Sequence, residues 1–291
     1  MCPEIVKIGP FTVYSYGLML GIAFLIASYL LSKEVIRKGL PQNISTEVTL
    51  LAIVFGIIGG KALHLIENFN RFLDDPVGSA FSPGGLTFYG GLILSIIVIW
   101  IYVRKKKIPF LFIADAAAPS LAIAYGIGRI GCHLSGDGDY GIPTDLLWGV
   151  NYSNGTVPPS AAFSDPALFQ QFPWLQEKFP DGIVPDNTPL HPTPIYEFLS
   201  GLIIFAVLWK FRKKSWVDGK LFMLYLILSG VSRLLVEFIR LNPRILLGLS
   251  EAQIISVVLI IIGIGGFIIL TKKNKPVFVP PPVKAESGQK K

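Results

Sequence analysis

Two arginines are the residues best suited to chemistry in an otherwise apolar chain. Arg129 belongs to the run GRIGCHLSGDGDYG at 128–141, and Arg233 belongs to SRLLVEFIR at 232–240. A guanidinium is a planar fork of N–H donors that matches a phosphate in a bidentate way. Two such forks together indicate a phosphate-binding site. The alternative is that each arginine pairs with a nearby carboxylate, such as Glu237 or Asp137, and holds helices together.

The composition is that of a membrane protein. Hydrophobic residues make up 52% of the 291 residues and charged residues only 15%, whereas soluble domains carry about 25% charged residues. A bilayer core is crossed by about 20 mostly apolar residues. The sequence predicts an all-α polytopic membrane protein with seven transmembrane helices, at about residues 14–31, 48–65, 86–103, 110–127, 195–209, 221–235 and 252–270.

Lysine and arginine predict the orientation of these helices. Eighteen of the 26 basic residues follow helices 1, 3, 5 and 7, and the other loops are poor in them. By the positive-inside rule, the N-terminus lies outside and the C-terminus in the cytoplasm. The net charge of +7 reflects this bias and an attraction to anionic lipid, and it does not indicate nucleic-acid binding.

The loops suggest how the chain is organised. Residues 1–272 are predicted to form one seven-helix transmembrane domain. Its longest loop, at 130–194 between helices 4 and 5, is predicted to form a small extracytoplasmic cap. Its aromatic residues, Trp148, Phe172, Trp174 and Phe179, leave open the alternative of an aromatic surface at the lipid interface. Residues 273–291 are polar, basic and proline-rich, which is typical of a disordered cytoplasmic tail.

Polar side chains of five predicted helices converge on the outer leaflet. Arg129 ends helix 4 and Arg233 lies in the outer half of helix 6, while Lys61 lies in helix 2. Tyr16 and Tyr89 lie near the outer starts of helices 1 and 3. Ionisable groups inside a membrane usually mark a pathway or a site, and two arginines at this depth suit the phosphate of a phospholipid.

Glycine pairs accompany these polar residues. Gly90 and Gly91 follow Tyr89 directly. Glycines allow a ligand to approach the backbone closely, but they equally allow close helix packing. No zinc, nucleotide or P-loop pattern is found, so we predict neither a metal nor a cofactor.

Several blocks resemble the prolipoprotein diacylglyceryl transferase family over about residues 13–270. The blocks are SYGLML at 15–20, GLTFYGGL at 85–92, ADAAAP at 114–119, GRIG at 128–131 with SGDGDYG after it, HPTPIYE at 191–197, SRLLVEFIR at 232–240 and AQIIS at 252–256. The resemblance implies transfer of a diacylglyceryl group from phosphatidylglycerol to the lipobox cysteine of a prolipoprotein signal peptide. It also implies a bacterial inner or plasma membrane location among membrane lipids.

The resemblance also implies roles for single residues. Arg129 and Arg233 match the two essential arginines of the family and are predicted to be catalytic as well as substrate-binding. Tyr89 and His133 complete the predicted catalytic set. The other predicted substrate-binding residues are Tyr16, Lys61, Gly90, Gly91, Gly141, His191, Tyr196 and Glu237.

The sequence departs from the family pattern at the predicted site. Tyr89 replaces the histidine proposed as a base, and a tyrosine with its usual pKa of about 10 is a poor base but a possible hydrogen-bond donor. Cys132 replaces an asparagine, Ser229 a tyrosine and Lys61 an arginine. His133 is a candidate replacement base, or simply a hydrogen-bonded turn histidine.

These departures leave two other functions open. One is a paralogue that uses another lipid or acceptor, and the other is a non-catalytic lipid-binding or lipid-transport protein. The sequence also leaves open whether Cys2 and Cys132, both predicted to lie outside, form a disulfide.

Overall fold

A computed structural model describes residues 1–9, 11–82, 85–272 and 278–280. The elements, in chain order, are β1 (Glu4–Ile8), β2 (Phe11–Tyr14), α1 (Ser15–Arg37), α2 (Asn43–Glu67), α3 (Phe69–Asp74), α4 (Pro76–Phe81), α5 (Phe88–Lys105), α6 (Phe110–Ser135), α7 (Pro159–Ala162), α8 (Pro166–Gln171), α9 (Trp174–Lys178), α10 (Thr193–Phe211), α11 (Lys220–Val236), a 3-10 turn (Glu237–Ile239), β3 (Arg244–Leu246), β4 (Leu249–Ser250) and α12 (Glu251–Lys272).

The fold is mostly helical, as predicted. Within the described residues, seven helices are long and apolar enough to cross a membrane: α1, α2, α5, α6, α10, α11 with the 3-10 turn, and α12. Two antiparallel hairpins, β1–β2 and β3–β4, were not predicted. The orientation with the N-terminus outside stays a prediction.

The helices extend beyond the apolar runs because polar residues continue them. The end of α1 includes an ion pair of 2.6 Å between Arg37 and Glu34, one helical turn apart. α6 continues past residue 127 to Ser135, so that Arg129 lies inside the helix. The predicted span within α6 is the least apolar of the seven. In the most apolar 18-residue stretch of α6, 67% of the residues are buried within protein. Contacts with protein therefore replace contacts with lipid along much of this helix.

The chain divides into two compact units. Of the described residues, the first unit contains those within 1–27 and 117–272, and the second contains those within 28–116 and 278–280. In the first unit, α11 packs against both α10 and α12. α11 and α12 approach closely at glycines, since a Cβ at Gly230 would lie 2.9 Å from Ser256 O and one at Gly263 would lie 3.0 Å from Met223 O. Small residues commonly allow such close contacts between membrane helices.

The residues between α6 and α10, predicted as a cap, have a hydrophobic core of their own. Its buried members are Tyr140, Tyr152, Phe163, Leu168, Leu175, Val184 and Leu190. The backbone groups of Val150 and Leu190 exchange hydrogen bonds of 2.9 and 3.0 Å across the loop. The three short helices α7, α8 and α9 lie in this segment, and it is attached to the end of α6 by a bond of 2.8 Å from Thr156 N to Ser135 O.

The second unit is built on the pair α2 and α5. Most of the predicted disordered tail, at 273–277 and 281–291, lies outside the described residues. Residues 278–280 are described, and the Phe278 ring meets the Phe112 ring edge to face at 5.1 Å. Pro280 Cγ would lie 3.5 Å from a Cβ at Gly39.

Candidate functional site

Three arginines and three carboxylates come together in the first unit. Arg129 lies in α6, Arg233 in α11, and Arg240 directly after the 3-10 turn. The carboxylates belong to Asp139 in the loop after α6, to Glu197 near the start of α10, and to Glu237 in the 3-10 turn. We call these six residues the arginine–carboxylate network. Its directly bonded members lie up to 101 residues apart in sequence, as Asp139 and Arg240 do.

Glu197 joins all three arginines. One carboxylate oxygen accepts hydrogen bonds from Arg233 Nη1, at 2.5 Å, and from the Tyr125 hydroxyl. The other lies 3.3 Å from Arg129 Nε and accepts a bond of 3.1 Å from Arg240 Nη1. The Glu197 side chain is only 1% exposed. A buried carboxylate is tolerated only when it is paired and hydrogen-bonded, and these contacts meet that requirement.

Asp139 joins Arg129 to Arg240. One carboxylate oxygen binds Arg129 Nη1 and the other binds Arg240 Nη2. The Asp139 backbone carbonyl accepts further bonds from Arg240 Nη1, at 3.0 Å, and from Thr193 Oγ1, at 2.5 Å. Burial disfavours the Asp139 carboxylate, but the charges of Arg240 and Arg129 outweigh it and lower its pKa to about 2.

Glu237 contacts two of the three arginines, Arg233 and Arg240. One oxygen lies 3.2 Å from Arg233 Nη2 and 3.7 Å from Arg240 Nε. The other accepts bonds of 2.7 Å from Asn242 Nδ2 and Ser250 Oγ. The Glu237 side chain is fully buried. Glu237 therefore connects α11, through the turn that follows it, to the N-terminal end of α12.

The three arginines differ in what they leave accessible. The Arg240 side chain is 5% exposed, whereas those of Arg129 and Arg233 are 18% and 23% exposed. Within the described residues, no partner is found for Arg129 Nη2 or Arg233 Nε. Arg240 thus cross-links the network, while Arg129 and Arg233 retain N–H donors for an anion.

Arginine–carboxylate pairing, the alternative left open by the sequence, is therefore present. Arg233 does pair with Glu237, but Arg129 pairs with Asp139 and Glu197 rather than with Asp137. Pairing does not exclude phosphate binding, because the two partly exposed arginines are held side by side by Glu197. The phosphate site stays a prediction.

Asp137 is the carboxylate of this region that lacks a cation. Within the described residues it has no salt bridge, and its Oδ1 accepts a bond of 3.3 Å from Asp139 N. An oxygen of Asp137, an oxygen of Asp139 and Cys132 Sγ all lie within 4.8 Å of one another. Burial, followed by the charge of Asp139, raises the pKa of Asp137. Both Asp139 oxygens already bind arginines, so this cluster does not favour a metal ion.

His133 faces the hydrophobic core of the loop segment. Its Nδ1 lies 3.0 Å from the Tyr152 hydroxyl, and the two rings meet edge to face at 5.7 Å. Tyr152 is fully buried. This arrangement agrees with the hydrogen-bonded histidine that the sequence left as an alternative, and a catalytic role for His133 stays a prediction.

Other predicted binding residues lie where the loop segment meets α10. His191 Nδ1 is 3.2 Å from the Tyr196 hydroxyl, which also accepts a bond of 2.8 Å from Trp148 Nε1. Burial lowers the pKa of the His191 imidazole, which favours its neutral form. Gly141 N donates to His191 O at 2.9 Å, and a Cβ at Gly141 would lie 2.5 Å from Ile239 O. Gly141 therefore permits a close backbone junction.

Tyr16 is the remaining predicted residue of the first unit. It lies in the first turn of α1 and is 44% exposed. A Cβ at Gly131 would lie 3.3 Å from Tyr16 Cα, so Tyr16 sits against α6 one helical turn or less from both Arg129 and Cys132. Cys2 and Cys132 are both free thiols.

The other predicted site residues belong to the second unit. A Cβ at Gly90 would overlap Gly59 O, and one at Gly91 would lie 2.5 Å from Gly56 O. Both glycines therefore serve the packing of α5 on α2. Lys61 Nζ donates to Ser82 O and Oγ at 3.0 and 2.7 Å, and the Tyr89 ring meets Phe88 edge to face. The substrate contacts of these residues stay predictions.

Sequence reasoning missed four residues of the site. Asp139, Glu197, Arg240 and Tyr125 were not predicted to take part, although the first three lie inside the quoted blocks. The available signal was that Glu197 follows Tyr196 and that Arg240 lies seven residues, or two helical turns, after Arg233. Tyr125 lies one turn before Arg129, whose guanidinium carbon is 5.0 Å from the Tyr125 ring centroid.

The fold and site define a polytopic membrane protein with a buried arginine–carboxylate network. The family model for prolipoprotein diacylglyceryl transferase matches residues 3–269. The chain belongs to the prolipoprotein diacylglyceryl transferase family. It is a multi-pass membrane protein of a transferase family, as the sequence blocks had indicated.

Curated relatives match over most of their length. A phosphatidylglycerol–prolipoprotein diacylglyceryl transferase of Clostridium tetani is 34% identical over 266 residues, which are 91% of this chain and 96% of the relative. Proteins of the same name from Halalkalibacterium halodurans and Dehalococcoides mccartyi are 29% and 31% identical. These two alignments cover 88% and 94% of this chain, and 81% and 95% of the relatives.

Proposed function

We propose that this chain transfers the diacylglyceryl group of phosphatidylglycerol to the lipobox cysteine of a prolipoprotein and releases glycerol phosphate. The observation that carries the proposal is the binding of Arg129 and Arg233 to the two oxygens of buried Glu197. This contact holds two partly exposed guanidinium groups beside one another. The family of the chain and the names of its relatives support the same reaction.

The arginines have a defined role in this reaction. The thiol sulfur attacks the glyceryl carbon that carries the phosphate ester, a C–S bond forms, and the C–O bond breaks. The electron pair of that bond leaves with the phosphate. Arg129 Nη2 and Arg233 Nε, which lack protein partners within the described part of the chain, donate to the phosphate oxygens and stabilise the charge that develops there.

The other network residues position these two arginines. The long side chain of an arginine can adopt many conformations. A guanidinium binds a phosphate more strongly when its side chain is already held in one of them. Glu197 fixes the spacing of Arg129 and Arg233, while Asp139 and Arg240 tie Arg129 to the loop after α6.

Asp137 is the group that takes the thiol proton in this proposal. It is the carboxylate beside Arg129 that no cation neutralises within the described residues, and it already lies within 4.8 Å of a sulfur atom, that of Cys132. Its proton then passes to the departing phosphate. A protonated Asp137 also repels that phosphate less than a carboxylate would. Tyr89 remains a hydrogen-bond donor in this scheme, and His133 the competing base.

The direct test is a transfer assay with purified protein in detergent, phosphatidylglycerol and a lipobox peptide. The peptide mass should rise by one diacylglyceryl group, with one glycerol phosphate released per modified peptide. Arg104→Lys, at the C-terminal end of α5 beside Trp100, is a control variant and should leave the rate unchanged. No modified peptide from folded protein would contradict the proposal.

Two outcomes of that assay favour the other functions. Transfer from a different phospholipid, or to a different acceptor, would indicate a paralogue, for which the replacement of the family histidine by Tyr89 is the supporting observation. Saturable lipid binding without any product would indicate a non-catalytic lipid-binding protein. We place the chain in a bacterial inner or plasma membrane, with the network on the outer side, because of the distribution of basic residues.

A further inference from the structure

Two loops of the first unit end in large apolar side chains that nothing in the described chain covers. The 146–148 loop carries Leu146, Leu147 and Trp148, and the turn of the β3–β4 hairpin carries Ile245, Leu246 and Leu247. Leu147 is fully exposed, Leu247 is 91% exposed, and the other four are 44–62% exposed. We call these two segments the apolar tips.

The hairpin tip combines exposure with an unfavourable backbone conformation. Leu247 and Gly248 form the two-residue turn and have φ angles of +52° and +72°. Such turns favour Asn, Asp or Gly, because a side chain with a Cβ is disfavoured at positive φ. A leucine here is unfavourable for the backbone and also exposes a large apolar surface. Contact with an apolar phase would offset the second cost.

Both tips lie close to the ends of helices that are long and apolar enough to span a membrane. The α11 span ends at Ile239, and α12 begins at Glu251, directly after β4. Leu247 lies three residues before Ser250, so it can extend only about 10 Å beyond the start of α12. Trp148 Nε1 donates to Tyr196, which lies in the first turn of the α10 span. The 146–148 loop lies between the fourth and fifth spans, and the hairpin lies between the sixth and seventh. Two spans separate these loops, so both tips lie on the same side of the membrane.

The tips also continue the apolar surface of the spans beside them. Phe238 in the last turn of the α11 span is 55% exposed, and Leu199 in α10 is 50% exposed. Residues 245–249 contain no charged side chain, and Arg244 points back to Gln253 at 2.5 Å. Trp and Tyr, the residue types of Trp148 and Tyr196, are enriched at membrane–water interfaces. The surface that adjoins both tips is therefore lipid-facing.

We propose that the two apolar tips insert into the bilayer interface on the outer side and dock the loop segment onto the membrane surface. The lipid bilayer is the partner, and the contact consists of acyl chains against Leu147 and Leu247 with Trp148 at headgroup depth. This contact also places the loop after α6, which carries Asp137 and Asp139, next to the lipid layer from which a phospholipid would arrive.

Spin-label depth measurements test this insertion in the full chain. Leu147→Cys and Leu247→Cys are made in a Cys2→Ser background, labelled and reconstituted into phosphatidylglycerol-containing nanodiscs. The background protein, with the buried Cys132, shows how much label binds elsewhere. Asp181→Cys, an exposed polar position of the loop segment, is the matched control. Labels at 147 and 247 should collide with lipid-soluble oxygen several-fold more, relative to a water-soluble nickel complex, than the label at 181.

Two results would overturn the proposal. Labels at 147 and 247 that collide with the nickel complex as often as the label at 181 would place the tips in water. Labels shielded from both reagents would indicate a protein partner, either a second copy of the chain or a bound peptide, instead of lipid.

A substitution of the turn residue provides an independent readout. Leu247→Asn suits the positive φ but removes the apolar side chain, so the Tm in detergent should not fall. The increase in Tm on transfer from detergent to nanodiscs should be smaller for Leu247→Asn than for the wild type. Equal increases for the two proteins would show that Leu247 makes no lipid contact and would overturn the proposal.

Discussion

The two compact units differ at the residues that the sequence predicted to contact substrate. In the first unit, the arginine–carboxylate network gathers charged side chains from α6, α10 and α11 around Glu197. In the second unit, Gly59, Gly90 and Gly91 bring the backbones of α5 and α2 together. A charged group in a membrane must find partners, whereas a glycine in a membrane helix most often serves packing.

The difference teaches which kind of motif indicates function. Arg129 and Arg233 are held by carboxylates yet keep accessible donors, so their presence is not explained by packing alone. Gly90 and Gly91 are accounted for by the neighbouring helix. The predictions below test this contrast between a reactive first unit and a packed second unit.

The largest effect is expected from loss of either partly exposed arginine. Arg129→Ala or Arg233→Ala should abolish transfer, since removing one donor to a developing oxyanion typically costs about 10²–10³-fold and here a whole fork is lost. Transfer rates and membrane-inserted, folded protein should be measured together. Arg104→Ala in the second unit should retain the wild-type rate. Retained activity in either site variant would remove the proposed phosphate contact.

A smaller but still large effect is expected at Asp137. Asp137→Asn should lower the transfer rate about 10²-fold, as is typical for loss of a general base. A peptide with selenocysteine in place of the lipobox cysteine should restore most of this loss, because a selenol ionises far more readily than a thiol. Arg129→Lys should gain nothing from that peptide.

His133→Gln is the matched comparison for Asp137. This variant should keep the pH–rate profile of the wild type, because the His133 imidazole of the wild type is bound to Tyr152 and is not the base in the proposed reaction. If the pH dependence of the rate were lost in His133→Gln but kept in Asp137→Asn, His133 would be the base and Asp137 would not. Failure of the wild type itself would instead contradict the proposed reaction.

An intermediate effect, on the stability of the protein, is expected from a change of Gly90 in the second unit. Gly90→Ala places a Cβ against Gly59 O and should destabilise the protein by about 1–3 kcal/mol. Its KM for phosphatidylglycerol should stay unchanged in the folded fraction. Gly265→Ala, which would meet nothing within 4 Å, is the control and should not lower Tm. A raised KM for Gly90→Ala would instead support the predicted substrate contact.

The last effect, comparable in size to that of Gly90→Ala, is a pH dependence of stability that arises from Asp139. Its folded-state pKa of about 2 lies below the ordinary value of 3.8. Its stabilising contribution is therefore complete above the ordinary pKa and is lost as pH falls through about 2. A pKa shift of this size contributes about 2 kcal/mol to the free energy of unfolding.

Thermal unfolding in detergent between about pH 2 and pH 6 measures that contribution. Asp139→Asn should be less stable than the wild type at the upper end of this range, and the difference should shrink at the lower end. Asp181→Asn, at an exposed position, should show neither change. A constant difference between Asp139→Asn and the wild type would contradict the ionic role of Asp139.

Much of the fold could be predicted from the sequence, and less of the site. The seven predicted spans correspond to the seven long apolar helices found in the described part of the chain, and only their polar ends were underestimated. The β3–β4 hairpin was missed because its turn contains Leu247 where turn chemistry predicts Asn or Gly. Arg129, Arg233 and Glu237 were predicted for the site, whereas Asp139, Glu197 and Arg240 were not.

The sequence alone determined the class of the protein, because bilayer thickness sets the length of each apolar run and the blocks on those runs indicated the family. Only the tertiary structure decided which carboxylate meets which arginine. Arg240 and Asp139 are 101 residues apart, and Arg233 and Glu197 are 36 apart. Spacing along a helix cannot specify such pairs. They form where helix packing brings buried charges close enough to neutralise one another.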